Sequence, residues 1–202
     1  MSQIADLCDQ IVERLSALGS PIAKLLQPGI TESLIQEIQA SLPFVFPDAA
    51  VEMYKWRNGT EPVEGSTLFP GWGFDTIAES VERYKILATP NDGIWNDHWF
   101  PLFSSSDISS IGIVCDDQPS ADGEIVTYEY MLGDEVEFES LEAMLKTVLK
   151  AFDTGVYYLD DQGLLEVGES TYDDQGRLIN VDMSKFNEIA RHFNPGLKRY
   201  ER

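Results

Sequence analysis

Apolar residues at three- and four-residue spacing open the chain. Ile4, Leu7, Cys8, Ile11, Val12, Leu15 and Leu18 fall on one stripe. That spacing predicts an amphipathic helix over residues 1–19 whose stripe packs on its own core. Gly19 and Pro21 stop it. A second helix is expected to start at Thr31, an N-cap type, and to carry Leu34, Ile35 and Ile38. A third runs from about Pro47 to Arg57. The fixed φ and missing N–H of Pro47 suit a first helical turn, and Asn58-Gly59 can close the helix, with Gly59 left-handed. Residues 68–74 are aromatic and glycine-rich and read as a short strand or loop. Thr76 and Glu79 then have capping-box spacing ahead of Ile77, Val81, Tyr84 and Leu87, so a helix follows and stops before Pro90.

The period then changes. His98 to Phe103 is a strand, with Pro101 arguing for an edge or a strand end. Ile111 to Cys115 and Glu124 to Met131 are strands by composition, Asp122-Gly123 is a turn signal, and Val136 to Phe138 adds a short fourth strand. Ser140 caps a periodic helix through Leu141, Met144, Leu145, Val148, Leu149 and Phe152, ended by Gly155. Val156 to Leu159 and Leu164-Leu165 flank an Asp-Asp-Gln-Gly turn at 160–163, and the same four residues recur at 173–176. A last helix spans Ser184 to Phe193 and stops at Asn194-Pro195-Gly196. No low-complexity linker divides the chain. The order predicts one α+β domain over residues 1–202: a mainly antiparallel central sheet with N-terminal helices and a late helix around it. Its core is about 31–155. Helix 1–19 and the extension 156–202 pack on it, and the extension is expected to complete the sheet.

Four segments in sequence carry a resemblance. The first is Leu42-Pro43, Phe46-Pro47 and Met53-Tyr54-Lys55-Trp56-Arg57-Asn58-Gly59. Then come Trp99-Phe100-Pro101-Leu102-Phe103, a strand ending Val114-Cys115-Asp116, and Ser140-Leu141-Glu142-Ala143-Met144-Leu145. Together they resemble the SUKH superfamily, which includes the yeast cell-wall-assembly regulators and many bacterial toxin-immunity proteins. One stretch departs from the pattern: residues 104–110 are serine-rich where the family often has glycine. The resemblance implies an α+β fold and a role in binding partners rather than catalysis. In bacteria the common role is neutralising intracellular toxins, often nucleases; in fungi, relatives regulate wall synthesis and signalling. Of the motif residues, Pro47, Tyr54, Trp56, Asn58, Gly59 and Pro101 read as structural, with Tyr54 and Trp56 packing the helix on the sheet and Asn58-Gly59 capping it.

Charge narrows the partners. The 202 residues hold 35 acidic and 14 basic side chains, a net −21 with a pI near 4.2. Most of the excess lies between Asp107 and Asp174, where Lys146 and Lys150 are the only basic residues, while Leu197 to Arg202 carries three. Sequence-independent nucleic-acid binding needs cations, and an anionic membrane repels this field, so neither is expected as a partner. A basic protein would be steered in; the alternative is a surface that serves solubility alone. Hydrophobic residues at 43% suffice for a core. Cys8 and Cys115 stand far apart among apolar neighbours, as buried thiols do, with neither metal spacing nor a disulfide framework. The first residues lack a basic n-region and a long apolar run, so a cytoplasmic location is expected.

Candidate chemistry is thin. His98 would need a nucleophile and an orienting carboxylate, and no Gly-x-Ser-x-Gly elbow exists. His192 reads as a cation near a helix C-terminus. Asp116, Asp117, Asp122 and Glu124 have oxygen ligands for a divalent cation, as do the two Asp-Asp-Gln-Gly turns, but neither turn follows the calcium-loop pattern, and aspartate with glycine is what turns need. A glycosidase could use two carboxylates with Trp72, Trp95 or Trp99 against a sugar, yet 35 acids guarantee some such pair by chance. The expectation is therefore no enzyme, no metal and no cofactor. The candidate partner surface is Trp72, Trp99, Asp116, Asp117, Asp122 and Glu124. Facing a nuclease toxin, these carboxylates would mimic phosphates. A regulatory scaffold is the alternative, and a hydrolase a remote one.

Overall fold

The computed structural model describes residues 2–63, 65–88, 95–105, 109–129, 133–172, 175 and 178–198. Its first helix, α1 (Gln3–Leu18), begins where the Ser2 hydroxyl accepts the Ala5 N–H and ends at Gly19. Ile4, Leu7, Cys8, Ile11 and Leu15 are buried, whereas Leu18 is exposed. A short turn α2 (Ile22–Leu25) and strand β1 (Leu26–Pro28) follow, without a periodic signal in the sequence. Helix α3 (Glu32–Gln39) starts at Thr31, whose hydroxyl accepts the Leu34 N–H; it buries Ile35 and leaves Leu34 exposed.

Helix α4 (Asp48–Trp56) departs from expectation at both ends. Pro47 is the extended residue before the helix (φ −63°, ψ 151°), not its first helical one. The free N–H groups of Asp48 and Ala49 donate to the carbonyls of Ser120 and Ala121 instead. At the other end no left-handed residue closes the helix. Arg57 is extended (φ −149°), and the chain runs straight into strand β2 (Arg57–Thr60), which pairs antiparallel with β1. Gly59 does have positive φ, +82°, but within that strand, where a Cβ would lie 2.5 Å from the backbone N of Thr76.

Strands β3 (Thr67–Phe69) and β4 (Trp72–Phe74) form a hairpin. Helix α5 (Ile77–Leu87) opens with the full capping box of Thr76 and Glu79. Strands β5 (Trp99–Ser104), β6 (Ser110–Val114), β7 (Ile125–Glu129) and β8 (Gly133–Phe138) complete a six-stranded antiparallel sheet in sequence order from β3 to β8. Pro101 lies on an interior strand, contrary to the edge reading. It is tolerated because β4 covers only Phe103 and Ser104 of β5, and the β5–β6 register shifts between Pro101 and Phe103. One face of the sheet, with Phe100, Ile113 and Ile125 in register, is fully buried. Helix α6 (Leu141–Asp153), started by the Ser140 hydroxyl, packs with α1 and α4 in the same core. The fold is α+β: helices around a mainly antiparallel sheet.

Among the described residues the extension adds no strand to that sheet. Strands β9 (Tyr157–Leu159) and β10 (Leu165–Val167) pair only with each other, as do β11 (Glu169–Tyr172) and β12 (Leu178–Asp182). The sheet edges offer little: β3 is three residues long, and β8 carries Asp134, Glu135 and Glu137. Locally, Asp160 closes the first hairpin by accepting the N–H groups of Gln162 and Leu164. Of the second Asp-Asp-Gln-Gly turn, only Gln175 is among the described residues. Helix α7 (Ser184–Phe193) returns to pack on α6, with Phe186 stacked on Tyr157 at 5.6 Å.

Candidate partner-binding surface

Antiparallel pairing carries three distant segments to one end of the sheet. Trp99 pairs with Val114, the Cys115 N–H donates to the His98 carbonyl at 2.7 Å, and the Val114 N–H donates to the Glu124 carbonyl at 2.9 Å. The Val45 N–H then donates to the Asp116 carbonyl at 2.8 Å, which brings in the start of α4. Asp48, Asp97, Asp116, Asp117 and Glu124 are all exposed on this rim. Among the described residues no lysine or arginine pairs with any of the five. The sequence explains why: residues 86–145 contain thirteen Asp and Glu and not one Lys or Arg. The nearest charge partner is His98, whose Nε2 lies 3.8 Å from Asp117 Oδ1 while Nδ1 sits 3.2 Å from the Cys115 carbonyl oxygen. The positive end of the α4 dipole favours the first-turn Asp48.

Trp99 gives the rim an aromatic edge. It is half-buried against Trp95, whose ring stands edge-on to it at 5.5 Å and whose Nε1–H donates to the Trp99 carbonyl. Trp95 itself is buried, edge-on to Tyr128 as well. It reaches the strand because Gly112 lacks a Cβ, which would lie 3.2 Å from the indole.

The six residues named from sequence therefore divide. Trp99, Asp116, Asp117 and Glu124 share the rim. Trp72 does not: Gly73 pairs with Ser104, so Trp72 stands past the far end of β5, roughly 20 Å from Trp99 at strand rise. Asp122 lies in the rim's own loop but is turned inward. Its Oδ1 accepts the N–H groups of Gly123 and Leu141, and its Oδ2 accepts that of Glu142, so it caps α6 beside Ser140. Burial raises its pKa above the ordinary carboxylate value, and the three N–H donors oppose that rise. Asp48 and Asp97 were not singled out from sequence. Each is a lone acid whose place on the rim depends on long-range pairing.

The motif residues face the interior. The Tyr54 hydroxyl is buried at 2.9 Å from Ser80 Oγ, and Trp56 Nε1–H donates to Asp9 at 2.7 Å. Asn58 caps a helix, though not its own: its Oδ1 accepts the Ile77 N–H at 3.0 Å, at the start of α5. Ser104 Oγ donates to Asp75 Oδ1 at 2.5 Å, and Arg83 reaches Oδ2 of the same carboxylate at 3.3 Å, so this serine is tied to a carboxylate rather than to a histidine. Burial pushes the thiols of Cys8 and Cys115 well up, which makes both poor nucleophiles. Among the described residues no three or more His, Cys, Asp and Glu gather to hold a metal ion, and no helix is long and apolar enough to cross a membrane.

Residues 29–149, more than half of the chain, match the model of the SMI1 / KNR4 family (SUKH-1). The match runs from before α3 to near the end of α6 and takes in the whole rim. No curated protein matches the chain.

Proposed function

We propose, since the chain belongs to the SMI1 / KNR4 family (SUKH-1), that it is a non-catalytic protein-binding module of the cytoplasm whose acidic rim engages a basic protein. The observation that carries this reading is the set of five exposed carboxylates, Asp48, Asp97, Asp116, Asp117 and Glu124, gathered without a lysine or arginine partner. Like charges held together repel, and a cationic partner relieves that cost while the field speeds its approach. Trp99 supplies an amphipathic aromatic of the kind that anchors interfaces. A nuclease toxin fits the chemistry. Its nucleic-acid site is basic, and rim carboxylates would occupy the positions of phosphates, which is the immunity role known in this family.

The test is capture from the source lysate at low and high salt, using the wild-type chain and the triple variant Asp116→Asn, Asp117→Asn, Glu124→Gln. The expected result is a stoichiometric basic protein lost both at high salt and with the triple variant. A partner that resists salt and binds the triple variant equally well would move the interface off the rim, as expected for a regulatory scaffold. Equal, salt-sensitive loss of many unrelated basic proteins would reduce the rim to a solubilising surface.

A further inference from the structure

The last twenty residues invert the charge of the chain: five Lys and Arg against two Glu, in a protein with 14 basic and 35 acidic residues overall. Part of that segment, α7, forms a cleft of about 440 Å³ with the end of α6, within the size range of ligand sites. Val156, Ile189 and Phe193 provide apolar lining, Lys150 and Lys185 provide cations, and the His192 imidazole lies beside them. Lys150 pairs with no carboxylate among the described residues. Lys185 reaches Glu169 at 3.4 Å, but both side chains are largely exposed, so a ligand carboxylate can exchange with Glu169. The cleft lies outside the stretch matched to the family.

We propose that this cleft binds an acidic peptide segment, with carboxylates on the lysines and an apolar side chain between them on Ile189 and Phe193. A compact phosphate fits less well. Glu188 also lines the cleft, and its charge opposes a compact dianion more than single carboxylates spread along a chain. Lysine ammoniums on flexible stems suit carboxylates spread along a chain, whereas phosphate recognition favours arginine forks. Three apolar side chains cover one or two residues of a peptide, not a long acyl chain. The acidic rim does not forbid the approach, because at physiological salt charges more than about 8 Å apart are largely screened.

The experiment is fluorescence anisotropy with the full chain and a fluorescein-labelled octapeptide alternating glutamate and leucine. Saturable one-site binding is expected, weakened about tenfold or more in Lys150→Gln/Lys185→Gln by loss of two charge-assisted contacts. Binding should vanish when glutamine replaces each glutamate of the peptide. The triple rim variant should bind the peptide as the wild type does, which keeps this site separate from the proposed function. Circular dichroism checks that the double variant is folded. Binding unchanged in the double variant, equal binding of the glutamine peptide, or saturable binding of octanoate or inorganic phosphate in place of the peptide would overturn the proposal.

Discussion

Strand β5 has two ends, and the chain treats polar groups at them in opposite ways. At the Ser104 end most of the described polar groups are paired, the buried Ser110 hydroxyl opposite Ser104 being an exception. Asp75, buried, holds Ser104 and Arg83; Tyr54 meets Ser80; Asn58 caps α5; and the Thr60 hydroxyl donates to the Phe74 carbonyl at 3.1 Å. At the Trp99 end the carboxylates stand in solvent with one histidine at 3.8 Å. Polar groups paired in the interior hold α4, α5 and the sheet in one arrangement, because an unpaired partner left behind is costly. Charges left exposed and unpaired add little to stability and are available to something else.

The largest effect that can sharpen this contrast is expected from Gly59→Ala. A Cβ at φ +82° and 2.5 Å from the Thr76 backbone forces the β2–α5 contact apart, for a loss of about 3 kcal/mol by urea denaturation. Asp122→Ala tests the boundary between the two regions, since it belongs to the rim loop but caps α6. Removing the acceptor of two helix-end N–H groups and of the Gly123 N–H should cost about 2 kcal/mol. A loss near zero would return Asp122 to the rim. Tyr54→Phe leaves the Ser80 hydroxyl buried without its partner, with an expected loss of about 1–2 kcal/mol in the same assay.

A smaller effect comes from pH. Burial raises the pKa of Asp75 above its ordinary 3.8, against the opposing pull of Ser104 and Arg83. The folded chain therefore keeps this proton longer than the unfolded chain. From 3.8 upward the unfolded state loses its proton first, so this group's contribution to stability falls as pH rises through its folded pKa. The stability of wild type relative to Asp75→Asn, followed by urea denaturation across that range, should decline with increasing pH. A rise would mean that pairing with Arg83 outweighs burial. The smallest effect belongs to the rim: Asp116→Asn/Asp117→Asn should shift stability by no more than ~0.5 kcal/mol either way. A large loss would show that the exposed acids are structural after all, and the contrast between the two ends would fail.

Local interactions were legible in the sequence. The stripe of α1, the capping box at Thr76 and Glu79, the Ser140 cap and the Asp160 turn each involve residues within a few positions of one another, so periodicity and side-chain type suffice to read them. The order of the motif segments was equally readable and led to the family and its α+β fold. Of the candidate surface, Trp99, Asp116, Asp117 and Glu124 were named from the charge-rich strand region, but not the fact that they share one end of the sheet with Asp48 and Asp97. What only the tertiary structure decided is where long-range partners meet. Asn58 caps the helix nineteen residues on rather than its own, and Asp122 serves α6 rather than a surface. Pro101 sits inside the sheet because its neighbour β4 is short, and the two late hairpins stay apart because the sheet edges offer them no partner. A residue's type fixes what it can bond to. Which distant group arrives to take that bond depends on how the whole chain closes its core.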